Sequence, residues 1–187
     1  MSSRFEIFDI PLRGLKLIER KPIGDDRGYL ERLFCAEEMQ PLTSGKCIAQ
    51  INHTLTARCG TIRGLHFQYP PFSEIKIVSC LQGQVFDVAV DLREGSSTFL
   101  QWHGEILTNE NHKTMVIPEG FAHGFQAMQD NCEMLYFHTS PYQPNYEGAL
   151  NAKDPRLDIR WPYDITEWSE RDASHPLLTT DYVGLSL

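Results

Sequence analysis

The sequence predicts an all-β barrel or sandwich carrying a few helical turns, and three observations carry that expectation. Val85-Phe86-Asp87-Val88-Ala89-Val90-Asp91-Leu92 is a β-branched, apolar run punctuated by aspartates, the pattern of a strand. Other short apolar runs follow at close spacing, each bounded by turn residues, which reads as antiparallel β and not as βαβ units. Helical periodicity is sparse.

In chain order, the head before Ile48 reads as extended chain with one helical turn at Ala36-Glu37-Glu38-Met39. Residues 62–68 form the first expected strand, stopped by Tyr69-Pro70-Pro71, because proline has no N–H to give a ladder. Residues 75–81 come next, and Gln82-Gly83-Gln84 turns the chain into the 85–92 strand. The turn signals Arg93-Glu94-Gly95-Ser96, Asn109-Glu110-Asn111 and Pro118-Glu119-Gly120 then separate strands at 99–107, 114–117 and 124–128, with a last one at 133–139. After Pro144 the tail is expected to pack around the β core, and Ser169 is placed to cap a short helix through Glu170, Arg171 and Asp172.

Composition narrows the function. The 187 residues fit one domain (1–187), and 41% hydrophobic with 22% charged residues is a globular balance. A net charge of -8 with no Lys/Arg-rich run argues against a nucleic-acid polymer as partner. Met1-Ser2-Ser3-Arg4-Phe5-Glu6 contains no apolar signal core, and no apolar stretch is long enough to span a bilayer, so neither secretion nor membrane insertion is expected. Five scattered cysteines without a CxxC pair read as reduced cytoplasmic thiols.

Four clusters could carry chemistry. In Arg63-Gly64-Leu65-His66-Phe67-Gln68, strict alternation puts His66 and Gln68 on one face and Arg63 on the other, unless a bend at Gly64 brings Arg63 round. A lone histidine is more often a structural one. Here Arg63, Lys76 and Asp87 all interrupt neighbouring apolar strands, which is costly unless they line a wet cavity. Pro118-Glu119-Gly120-Phe121-Ala122-His123 resembles the second motif of cupin barrels, whose histidine can bind metal. The paired histidines of the first cupin metal motif are missing: the corresponding place reads His66-Phe67-Gln68. A metal site formed by His66, His123 and His53 is therefore the weaker reading. Tyr136 in Glu133-Met134-Leu135-Tyr136-Phe137-His138 and Asp172 in Ser169-Glu170-Arg171-Asp172 would ordinarily be a core tyrosine and a solvated helix face.

Taken together and in order, these motifs resemble the dTDP-4-dehydrorhamnose 3,5-epimerases and related nucleotide-sugar epimerases. The similarity runs through Gly24-Asp25-Asp26-Arg27-Gly28, Gln50-Ile51-Asn52-His53, Arg63 to Gln68, Lys76, Gly83 to Arg93, Ile117 to Phe125, Leu135-Tyr136, Glu147-Gly148 and Ile159-Arg160-Trp161-Pro162. The resemblance implies a cupin-type double-stranded β-helix, a jelly-roll barrel, and a homodimer with N-terminal strands exchanged across it. It implies cofactor-independent inversion at carbon-3 and/or carbon-5 of a nucleotide-linked 4-keto-6-deoxy sugar, with no metal. His66 would be the base, Asp172 its partner, Tyr136 the acid and Lys76 the group beside the ketone oxygen. Arg63 and His123 would hold the substrate, while Arg27, Glu31, Gln50 and Asn52 would contact the nucleotide or its phosphates. Phe137 replaces a lysine common in the family and Pro141 an aromatic, positions expected at the nucleotide base. A GDP- or CDP-linked sugar or a one-carbon reaction are thus alternatives. More remote ones are a metal-dependent cupin using His66 and His123, and a non-catalytic sugar-nucleotide binding module.

Overall fold

The computed structural model describes residues 3–187. Its strands are β1 (Phe5–Asp9), β2 (Lys16–Arg20), β3 (Ile23–Asp25), β4 (Gly28–Leu30), β5 (Gln50–Thr56), β6 (Ile62–Gln68), β7 (Lys76–Gln82), β8 (Gln84–Asp91), β9 (Trp102–Thr108), β10 (Lys113–Ile117), β11 (Phe121–Ala127), β12 (Cys132–His138) and β13 (Glu147–Ala149). Two single-turn helices, α1 (Ala36–Met39) and α2 (Glu170–Ala173), complete the regular structure together with a 3-10 turn at Pro144–Tyr146.

One sheet has the order β1-β2-β10-β7-β12-β5 and a second the order β13-β6-β11-β8-β9, while β3 and β4 form a separate hairpin. All ladders are antiparallel. Val78, Cys80, Met115 and Met134 of the first sheet meet Val85, Ala89 and Phe125 of the second in one buried cluster, the interior of the jelly roll. The outer face of the second sheet, with Leu65, Val88 and Val90, lies under the tail through Leu157, Ile159 and Trp161. The outer face of the first sheet, with Ile18, Ile77, Val116 and Phe137, lies under the head through Leu33, Phe34 and Met39. Both terminal segments therefore cover sheet faces that would otherwise stand in water.

The head holds more strand than its sequence pattern suggests, because β1 and β2 extend the first sheet. β5 also escapes the apolar-inward rule. Its Asn52 and Thr54 line the cavity, whereas Ile51 and Leu55 are exposed. Phe99 and Leu100, expected in a strand, belong to a turn closed by Gln101 N–H donating to the Thr98 carbonyl at 2.9 Å. β11 starts at Phe121, earlier than expected, directly after the Pro118–Gly120 turn.

The expected bend at Gly64 is a β-bulge. His123 pairs with His66 and Phe125 with Arg63, so β6 carries one extra residue between those pairs. Gly64 adopts φ +126°, and a Cβ there would lie 2.5 Å from Gly124 Cα. A Cβ on Gly124 would lie 2.7 Å from the Arg63 carbonyl oxygen. The two glycines let the strands close around the bulge, which brings both Arg63 and His66 to the cavity. Gly124→Ala should therefore lower stability by about 1–3 kcal/mol through overpacking. A urea midpoint equal to that of the unmodified chain would show that the bulge tolerates the methyl group.

Candidate active site

A cavity of 690 Å³ opens at one end of the barrel. His66, Lys76, His123, Tyr136, Arg63 and Asp172 all line it, so β6, β7, β11, β12 and α2 converge on one space. Gln50 of β5 stands beside it, at an adjoining pocket shared with Asn52, His138, Tyr142, Glu147 and Arg171.

His66 Nε2 lies 2.8 Å from Asp172 Oδ1, and the Gly64 backbone N–H donates to Asp172 Oδ2 at 3.4 Å. Ser169 caps α2 by accepting from the Asp172 N–H at 3.0 Å, which places the carboxylate behind the imidazole. Burial pushes the Asp172 carboxyl up. The hydrogen bond and charge of His66, then the Gly64 N–H, outweigh that and hold it below the usual carboxylate range. Arg171 Nη2 also stands 3.2 Å from His66 Nε2. One ring nitrogen carries either a proton or a lone pair, so the two contacts are alternatives. The shorter bond to the buried carboxylate assigns Nε2–H as donor, and Nδ1 keeps the basic lone pair.

Tyr136 is 8% exposed, with its hydroxyl 3.5 Å from Thr54 Oγ1 and its ring edge against His123. Burial, aided by the Asp87 charge, raises its pKa, so the phenol keeps its proton at neutral pH. Lys76 donates to the His66 carbonyl at 3.1 Å and lies 3.4 Å from Glu74 Oε1. His123 Nε2 lies 2.7 Å from Asp87 Oδ1, and both side chains are buried. Arg63 donates to Thr56 Oγ1 at 2.9 Å and to the Leu55 carbonyl at 3.1 Å, so β5 holds the guanidinium at the rim. Gln50 donates to Asn52 Oδ1 at 3.0 Å, and its own oxygen accepts the Tyr142 N–H at 2.9 Å.

Arg27 and Glu31 lie outside this chain's cavity. Arg27 is exposed and paired with Asp25, while Glu31 is held by Arg20 Nε at 2.8 Å, with His112 Nδ1 2.7 Å away. Phe137 does not face the cavity, because strand alternation turns it outward to stack on Phe34 at 5.2 Å. Its position therefore does not bear on a base bound in this cavity. Thr54 and Arg171 belong to the site although no residue pattern singled them out, and Glu147, which the family similarity included without a role, joins them. Glu147 Oε2 accepts from Arg171 Nη1 at 3.0 Å and from the Tyr142 hydroxyl at 3.0 Å. Among the described residues no group of three or more His, Cys, Asp or Glu is arranged to hold a metal ion. His53, the third imidazole of the metal reading, pairs with Glu133 away from the cavity.

A histidine braced by a carboxylate, a protonated phenol and a lysine share one cavity of a cupin barrel, a set of groups suited to the proton transfers of an isomerase. The chain belongs to the dTDP-4-dehydrorhamnose 3,5-epimerase family, whose sequence model matches residues 9–180. It is 39% identical over 165 residues to dTDP-4-dehydrorhamnose 3,5-epimerase of Sinorhizobium fredii, covering 88% of this chain and 85% of that one. The Bacillus anthracis epimerase, solved with TDP and PPi bound, superposes with a TM-score of 0.89 at 34% identity, covering 93% of this chain and 99% of that one. The Legionella pneumophila dTDP-6-deoxy-D-glucose-3,5-epimerase, in complex with dTDP-4-keto-L-rhamnose, gives a TM-score of 0.88 at 39% identity, covering 92% of each chain.

The Asp172 carboxyl is depressed in the folded chain, so its stabilisation is complete above the unfolded carboxylate pKa of about 3.9 and fades as pH falls below that. Asp172→Asn should accordingly be less stable than the unmodified chain at pH 7, with the gap narrowing below about pH 4. Urea unfolding across that range tests this, and a pH-independent gap would contradict it.

Proposed function

We propose that this chain is a cofactor-independent epimerase acting at carbon-3 and carbon-5 of a dTDP-linked 4-keto-6-deoxy sugar. The observation that carries the reading is the His66–Asp172 pair sharing one cavity with the buried, protonated Tyr136. The 4-keto group makes the neighbouring C–H bonds acidic, since loss of either proton gives an enolate. His66 Nδ1 takes the proton and becomes imidazolium, which the Asp172 carboxylate stabilises. Tyr136 gives its proton to the opposite face of the same carbon and inverts it. His66 then returns its proton to solvent and Tyr136 recovers one. Lys76, donating to the developing enolate oxygen, is the kind of contact typically worth about 3–4 kcal/mol. Proton transfer alone contributes about 10²- to 10⁴-fold, so base, acid and lysine are all required.

The relatives solved with TDP and with dTDP-4-keto-L-rhamnose support the thymidine nucleotide. Arg63 and His123 hold the sugar-diphosphate, and Gln50 and Asn52 the nucleotide end. The exposed Ile51 and Leu55 of β5, with Tyr29 and Leu30 of the β3–β4 hairpin, fit a homodimer in which Arg27 and Glu31 serve the partner's cavity. Among the described residues no helix is long and apolar enough to cross a membrane, in keeping with work in the cytoplasm on a nucleotide sugar.

In deuterium oxide with dTDP-4-keto-6-deoxyglucose, label should enter carbon-3 and carbon-5. Label at one carbon would make the chain a mono-epimerase, and none with dTDP, GDP or CDP sugars would refute the chemistry. His66→Ala should abolish exchange at both carbons while dTDP still binds, whereas Tyr136→Phe should impair inversion more than exchange. Near-native turnover by His66→Ala would remove His66 as base. Sedimentation at micromolar concentration should return a dimer, and a monomer would refute the exchanged arrangement.

A further inference from the structure

We propose that Glu74 is a positioning residue for Lys76, braced from behind by His138. This rests on the epimerase reading above. Lys76 and His138 are direct cross-strand partners at the ends of β7 and β12, and both line the cavity. An ammonium held in that register gains from an anion beside it. Glu74 supplies it, its Oε1 3.4 Å from Lys76 Nζ and its Oε2 2.8 Å from His138 Nδ1.

The loop that carries Glu74 is pinned at the next residue. Ile75 N–H donates to Thr139 Oγ1 at 2.8 Å, and the Thr139 N–H donates to the Ile75 carbonyl at 3.2 Å. The Glu74 side chain is only 9% exposed, and a carboxylate that deep is costly unless both oxygens are met. Burial pushes its carboxyl up, but the His138 hydrogen bond and the Lys76 charge outweigh this, so the group stays anionic.

The arrangement leaves the ammonium little freedom. Lys76 has three N–H donors. One goes to the His66 carbonyl, Glu74 draws the ammonium as an ion-pair partner, and an N–H remains for an oxygen in the cavity. His138 in turn has few ways to rotate. Its Nδ1 is held by Glu74, Asn52 Nδ2 stands 3.4 Å from its Nε2, and its ring stacks on Tyr136 at 6.1 Å and 24°. Glu74 thus ties the oxygen-stabilising lysine to the wall that carries the acid. A lysine released from this tether would still bind substrate through its charge, but would place its N–H at the enolate oxygen less often.

The test compares Glu74→Gln, His138→Gln and the double variant by steady-state kinetics, with thermal midpoint and dTDP stoichiometry as folding controls. Glu74→Gln should lose about 10- to 100-fold in kcat, as for a small misplacement of a catalytic group, with KM within about threefold. His138→Gln should lose less, and the double variant should fall no more than about threefold below Glu74→Gln, because the two residues act through one lysine. Unaltered kcat in Glu74→Gln, a loss confined to KM, or fully additive effects would overturn the proposal. If Glu74→Gln does not fold, a kcat loss in folded His138→Gln at unchanged KM supports it and native kcat overturns it. A wild-type chain that exchanges no deuterium overturns the epimerase reading itself, and the two failures are thereby separated.

Discussion

A carboxylate withdrawn from water is tolerated only when donors meet its oxygens, and the Asp172 carboxylate finds both of its donors on one strand. One is the His66 ring and the other the Gly64 N–H, so the carboxylate grips the β6 bulge and its catalytic candidate at once. Asp172 comes from the far end of the chain, on a single turn held by Ser169. The tail must dock before this pair can exist, and it docks by covering the apolar outer face of the second sheet. The same bond that orients the His66 ring also fastens the tail to the barrel.

The barrel sets a second histidine–carboxylate pair beside the first. His123 and His66 are register partners on β11 and β6, and each reaches a carboxylate through Nε2. Their surroundings separate them. Both histidines line the cavity, but the His66 side chain is 26% exposed whereas His123 lies deeper, against the fully buried Asp87. A base must meet both substrate and solvent to turn over its proton, which suits His66. The buried pair is better placed to hold and polarise. The same residue types thus meet water differently because depth in the barrel differs.

The cavity sets polar side chains beside apolar ones such as Ile62, Phe125 and Trp168, and its polar wall accounts for how β5 is built. β5 turns Asn52 and Thr54 inward and leaves Ile51 and Leu55 outside, the reverse of an ordinary core strand. The reversal makes a wet wall for the site and leaves an apolar strip on the surface.

The all-β class, most strand positions and the gathering of His66, Lys76, His123 and Tyr136 were legible in the sequence, because alternation, turn residues and polar interruptions are local signals. The Gly64 bend was legible for the same reason, since glycine there admits a backbone that other residues resist. β5 was not, because its polar-inward pattern has meaning only once the cavity exists. Nor did residue pattern alone single out Asp172, whose spacing resembles a solvated helix face and whose role came only from family resemblance. Arg171 and the Glu74–His138 pair stayed hidden because their partners lie on distant segments, and Glu147 was visible only within the family similarity. Short-range propensity and period in the sequence set most strands from Ile62 onward and the polar residues that interrupt them. Only the tertiary structure decided which carboxylate meets which base, because those pairings depend on how sheets, head and tail close over one another.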